Sequence, residues 1–270
     1  MPAGRFITDD LARPLPLDPA ARRVVSLAPS CTDMLLAIGA QDLLVGVEEH
    51  SELPAALCAL PRVGGFKDVD VAGIASLAPE LIIAASLHAV RLVPTLERAA
   101  GRVFVSQPRT LDTIVSGMAR IAALLGRARV AAPLLAAARA RLDAVLARTL
   151  RGGPRPLVYV ELSPRGHTGG PQSFLDDLVT KAGGVNLGGA ARLEWPVIPS
   201  AVIRRLDPDV IVIADYPGSA TPDSLAAREG WDRLRAVKAG RVVAIPSPLI
   251  KRPGPGTLDG LEQLASLLNA

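Results

Sequence analysis

The run Ile74-Ala75-Ser76-Leu77-Ala78-Pro79-Glu80-Leu81-Ile82-Ile83-Ala84 is repeated later as Ile203-Arg204-Arg205-Leu206-Asp207-Pro208-Asp209-Val210-Ile211-Val212-Ile213-Ala214. Each copy reads as the end of a helix, a proline that cannot continue it, an acidic residue and then an apolar strand short enough to be fully buried. Pro79 and Pro208 lie 129 residues apart. A solenoid array would repeat many times at a period of tens of residues. One copy per half predicts two similar lobes instead, with a ligand cleft where they meet.

Other segments repeat in the same way. Arg23–Leu27 and Pro156–Glu161 each read as a strand followed by a turn. The helices expected next, near Cys31–Ile38 and Gln172–Ala182, stop at Gly39 and at Gly183-Gly184. Glycine after a last helical residue takes the left-handed conformation without a Cβ clash. Gly101-Arg102-Val103-Phe104-Val105 and Gly240-Arg241-Val242-Val243-Ala244 read as a closing strand for each half. Strands alternating with helices predict α/β lobes with parallel sheets. Between them, about Ala132 to Leu150 reads as one Ala-rich helix, with Pro133 tolerated in its first turn. The division expected is an N-terminal lobe over 1–128, a connecting helix over 129–152 and a C-terminal lobe over 153–270. A helical strut of roughly 30 Å restricts hinge motion more than a Gly/Ser linker would.

Composition narrows the function. The 270 residues are 49% hydrophobic, enough for two real cores. The net charge of +4 is spread over arginines without a dense basic block, and aromatics are only 3%. Nucleic-acid binding is therefore not expected. No apolar run reaches the ~18 residues of a membrane span. The N-terminus has no apolar core of a secretory leader, which gives the expectation of a cytoplasmic protein, or of a periplasmic or extracellular one had a leader been removed. Cys31 and Cys58 read as small buried apolar residues. Phosphate-loop, dinucleotide, zinc-protease and hydrolase-elbow motifs do not occur, so no enzyme reaction is nominated. The three histidines, His50, His88 and His167, each follow an expected strand by a few residues. Loops at the carboxyl ends of parallel strands line ligand crevices, and imidazole is the commonest protein ligand of transition metals.

Arg-Val-Val-Ser-Leu-Ala-Pro-Ser-x-Thr (23–32), Ile-Gly-Ala-x-x-x-Leu-Val-Gly-Val (38–47), Leu-Pro-x-Val-Gly-Gly (60–65) and Leu-x-Pro-Glu-Leu-Ile-Ile (77–83) occur in the order of the helical-backbone substrate-binding proteins. The chain resembles that family over roughly residues 5–268. The family serves ABC importers of vitamin B12, iron–siderophores and haem. The resemblance implies two Rossmann-like lobes joined by one long helix. It is greatest to the vitamin B12-binding members and implies non-catalytic binding of a corrinoid, cobalamin- or cobinamide-like. The ligand would be a corrinoid, alternatively haem or a ferric siderophore, with no intrinsic cofactor.

The resemblance also places residues. Phe66 falls where those members have Trp, His50 where they have Tyr and His167 where they have Phe, while Trp195 in Glu-Trp-Pro matches a shared Trp-Pro. Phe and Trp bury large area against a flat corrin face. The three histidines become candidate axial ligands of ligand-borne cobalt or iron. Arg252 is a candidate partner for a ligand phosphate or carboxylate. Importing members present a Glu from each lobe to the permease, seven residues before the motif proline. Here those positions are Ala72 and Ala201, so usual docking on an ABC permease is not expected, unless Asp70 or Glu80 substitutes. The protein is expected to act as a monomer. A corrinoid-handling enzyme or chaperone is the remaining alternative, with Cys31, Glu48 and Glu49 as its candidate groups. Cys31 is expected buried and both glutamates solvent-facing.

Overall fold

A computed structural model describes residues 5–65, 67–85, 87–149 and 153–269, without the side chains of residues 87–90 and 100. The chain divides into two compact units, Met1–Pro108 with Asp112–Ala138, and Arg109–Leu111 with Arg139–Ala270.

In the first unit a short antiparallel ribbon, β1 (Phe6–Thr8) with β2 (Pro14–Pro16), precedes the repeated pattern. Then come β3 (Val24–Ser26), α1 (Pro29–Ala37), β4 (Leu44–Val47), α2 (Val71–Ser76), β5 (Leu81–Ala84), α3 (Leu87–Ala100), β6 (Val103–Val105) and α4 (Leu111–Leu124). Helix α5 (Ala128–Thr149) gives its first half to this unit and its second half to the other. The second unit has β7 (Leu157–Glu161), α6 (Phe174–Lys181), β8 (Val185–Asn186), α7 (Ser200–Leu206), β9 (Val210–Asp215), α8 (Pro222–Ala226), α9 (Arg235–Lys238), β10 (Val242–Pro246), α10 (Ser247–Lys251) and α11 (Thr257–Leu268).

Both four-stranded sheets are parallel, and their orders are β4-β3-β5-β6 and β8-β7-β9-β10. Within each unit the first strand thus pairs with the second and third, and the fourth lies outside the third. The two halves repeat the same topology as well as the same sequence run. Leu81–Ala84 and Val210–Ala214 are buried throughout, as expected for strands with both faces covered.

The repeated Pro-acid step has a physical reason. Ala78 and Asp207, just before the prolines, both take positive φ, 44° and 48°, and so end their helices sharply. The acid after each proline then clamps the neighbouring strand. Glu80 donates its N–H to Arg23 O (2.8 Å) and accepts the Arg22 N–H at Oε2 (2.5 Å). Asp209 donates to Leu157 O (2.8 Å) and accepts the Leu157 N–H at Oδ2 (2.8 Å).

Some expectations need correction. Helix α5 starts four residues earlier than the sequence suggested, so Pro133 lies inside it. The missing N–H is tolerated because Pro133 is exposed, where water can reach the freed carbonyl. The buried face of α5 is Ala131, Ala138, Leu142 and Val145, close to helical periodicity. Cys31 is fully buried as expected, but Cys58 is exposed, just beyond the short 3₁₀ turn Ala55–Leu57. Among the described residues no helix is long and apolar enough to cross a membrane.

Candidate functional site

In the second unit the segment leaving β7 folds back on a later loop. Ser163 O accepts the Gly166 N–H (3.0 Å), closing a turn, and Leu162 N–H reaches His167 O (2.8 Å). Residues 166–168 then run antiparallel to 196–198. Thr168 N–H donates to Pro196 O (3.0 Å) and Ile198 N–H to Gly166 O (2.9 Å), with His167 opposite Val197. Gly166 has φ +84°, and a Cβ there would meet Ile198 O at 2.6 Å, so only glycine fits this close approach.

This lacing brings His167 and Trp195 together. Trp195 is 41% exposed and rests on the buried Phe174 ring, with centroids 5.7 Å apart and planes tilted by 56°. His167 Nδ1 is 2.8 Å from Ser163 Oγ. With Nδ1–H donated to that oxygen, Nε2 keeps its lone pair. Both side chains line a depression of about 490 Å³ with Leu162, Ser163, Arg165, Thr168 and Lys251. Lys251 Nζ donates to Leu162 O (3.3 Å) and stands 4.2 Å from the Tyr216 ring centroid. Partial burial, and then the neighbouring Arg252 charge, lower its pKa. Arg252 is half-buried outside this lining, its carbonyl accepting from Thr257 Oγ1 (2.9 Å). Lys251, Thr168 and Arg165 were not anticipated. Lys251 stands beside Arg252 in one basic dipeptide, and sequence could not say which side chain faces the depression.

A second, more enclosed pocket of about 150 Å³ adjoins the same segment. Its wall holds Glu161, whose carboxylate is almost fully buried and receives both terminal nitrogens of Arg228 (2.5 and 2.7 Å).

In the first unit the loop after β4 carries His50, exposed as a strand-exit residue should be. Arg62 holds this loop through the carbonyls of Glu48 (3.0 Å) and Ser51 (2.8 Å). A Cβ at Gly65 would lie 3.8 Å from His50 Nε2. Phe66 lies outside the described residues. His88 is in the first turn of α3, not in a loop as its position suggested, and its side chain is outside the description. Glu48 is buried, contrary to the expectation of a solvent-facing carboxylate, whereas Glu49 is exposed. Glu48 sits at the end of a buried hydroxyl chain. Thr32 Oγ1 bonds Ser26 Oγ and Ser51 Oγ (2.9 Å each), and Ser51 reaches Glu48 Oε2 (3.4 Å). Burial pushes the Cys31 thiol up to about 12. Among the described residues no group of three His, Cys, Asp or Glu side chains could hold a metal ion.

The periplasmic binding protein family model matches residues 24–249. The chain belongs to this family. It is 28% identical over 273 residues to the vitamin B12-binding protein of Vibrio cholerae, covering 97% of this chain and 94% of that one. It is 27% identical over 255 residues to an uncharacterized ABC transporter substrate-binding lipoprotein of Bacillus subtilis, YvrC, covering 90% of this chain and 79% of that one. The crystal structure of the periplasmic vitamin B12 binding protein BtuF of Vibrio cholerae superposes with a TM-score of 0.81 at 25% identity, over 92% of this chain and 97% of that one. The α/β architecture and the family resemblance read from the sequence both hold.

Proposed function

We propose that this periplasmic binding protein is a non-catalytic binder of a corrinoid, cobalamin- or cobinamide-like. The observation that carries the reading is the pairing of Trp195 and His167 at the β7 exit. A flat indole propped on Phe174 offers a large apolar plate, and an imidazole whose Nδ1 is engaged by Ser163 Oγ lies in the same wall. The plate suits a corrin face and the imidazole its cobalt. Kinship to proteins named for vitamin B12 binding supports the same ligand. Phe66, His50, His88 and Arg252 complete the proposed ligand-binding set, with the three histidines as candidate axial ligands. Absorption and calorimetric titration with cobalamin and cobinamide tests this. A spectral change with micromolar affinity for either is expected, and neither change nor heat overturns it. Haem or a ferric siderophore is the second reading, favoured by the basic side chains Arg165 and Lys251 in the same wall. A Soret shift on adding haem, with corrinoids inert, selects haem.

The candidate catalytic groups do not favour an enzyme, because Cys31 is buried with its thiol neutral and Glu48 is enclosed. A bound corrinoid recovered unchanged after incubation with reductant and nucleotides is the expected outcome. The lipoprotein and periplasmic names of the relatives favour a place outside the cytoplasm, the alternative among the sequence expectations. Fractionation of the native host tests it, and recovery in the cytosol alone sinks it. We also hold to a monomer without the usual permease docking. Ala72 and Ala201 are both exposed near the starts of α2 and α7 without a carboxylate.

A further inference from the structure

The depression beside Trp195 has a one-sided charge. Arg165 and Lys251 line it and no acidic residue does. The carboxylates around it are already engaged. Glu161 takes both arms of Arg228, Glu194 faces Arg109 at 3.7 Å, and Asp215 accepts from Ser219 Oγ at 3.5 Å. Lys251 is held in place by the Leu162 carbonyl and the Tyr216 ring rather than by a counter-charge. Among the described residues Arg165 makes no hydrogen bond or ion pair, and buried Thr168 Oγ1 has no hydrogen-bond partner. A wall with two cations, an orphan hydroxyl and no acid of its own lacks a negative group.

We propose that this wall is an anion-recognition subsite, in which Lys251 and Arg165 together take a carboxylate or phosphodiester carried on the rim of the ligand. The proposal rests on the reading of the site as a corrinoid site and names the ligand class within it: a corrinoid with an anionic appendage rather than an all-amide one. The lowered Lys251 pKa agrees, since an ammonium partly stripped of water, and then crowded by Arg252, gains most from an arriving anion. Charge-assisted hydrogen bonds are the stronger kind.

Three corrinoids separate the possibilities by calorimetry at low and high salt. Cobalamin carries a phosphodiester, cobyric acid a carboxylate, and cobinamide neither. At low salt at least one anionic ligand should bind about tenfold more tightly than cobinamide. High salt should narrow that gap. Tighter binding of cobalamin identifies the phosphodiester, and tighter binding of cobyric acid the carboxylate. In K251M and in R165M, checked for native circular dichroism, the ratio of cobinamide Kd to that of the preferred anionic ligand should collapse toward about one. Equal affinity for all three ligands, or a ratio that survives both substitutions, overturns the anion subsite and leaves the corrinoid reading standing. Failure of all three ligands to bind overturns both.

Discussion

Trp195 and His167 lie 28 positions apart in the sequence and meet because residues 166–168 pair with 196–198. Their different chemistry predicts different consequences. W195A should weaken corrinoid binding by about 2 to 4 kcal/mol, a large buried aromatic surface being lost, while leaving the bound spectrum unchanged. If His167 Nε2 ligates the metal, H167A should shift that spectrum, and an unshifted spectrum reduces His167 to pocket wall. At the same scale the two cysteines should part company. A thiol reagent should label Cys58 in the native protein and reach Cys31 only after unfolding. Above pH about 9 the unfolded Cys31 thiol ionises, while burial keeps the folded one protonated toward pH about 12. The unfolded state then binds fewer protons, so this residue's contribution to stability is present below pH 9 and is lost as pH climbs from there. C31A should flatten the alkaline loss in urea unfolding, and an unchanged pH slope would refute the assignment. Sequence marked His167 by its place after an expected strand and Trp195 by the Trp-Pro that the resemblance shares. It could not mark Thr168 or the burial of Glu48. An unmade hydrogen bond and a hydroxyl chain through residues 26, 32 and 51 exist only once the chain has folded.

The elements were more legible than their contacts. The Pro-acid run read as a helix end followed by a buried strand, and the strand order of both sheets bears that out. Why an acid follows each proline was not legible, because its partner is backbone 52 or 58 residues earlier, at Leu157 in β7 or at Arg22 just before β3. D209A should therefore cost about 1 to 3 kcal/mol by leaving the Leu157 amide without its acceptor, and E80A less because that bond is exposed. Equal stability of D209A and wild type in urea would show that water replaces the clamp. The β7 end predicts a larger effect. R228M leaves the Glu161 carboxylate buried without its partner and should destabilise the protein by about 3 to 5 kcal/mol, of which the double variant E161Q/R228M recovers a part. A single-variant cost below about 1 kcal/mol would mean the carboxylate is either solvated or protonated in its absence.

At the scale of the whole molecule the open matter is what the chain docks on. Surface chemistry bears on it directly. Around Ala201 the surface is basic, with Arg204, Arg205 and Arg233 lining the same depression, and its one acid, Asp207, is engaged by Arg235 at 3.0 Å. Around Ala72 the nearby acids have other work. Asp70 caps α2 by accepting the Gly73 N–H (2.9 Å), and Glu80 clamps β3. A permease that offers arginines would meet small side chains at both positions and guanidinium groups beside one of them, which removes attraction and adds repulsion. The protein should therefore show no saturable complex with a vitamin B12-type permease in nanodiscs. The double variant A72E/A201E should gain one, chiefly through a faster on-rate that declines with salt. Exposed positions accept such changes within about 0.5 kcal/mol of stability, so lost folding would not mimic a null result. D70N supplies the opposing test, because asparagine caps a helix as well as aspartate does while removing the charge. A tight complex of the unaltered protein that D70N abolishes would establish Asp70 as the docking carboxylate and refute the loss of docking.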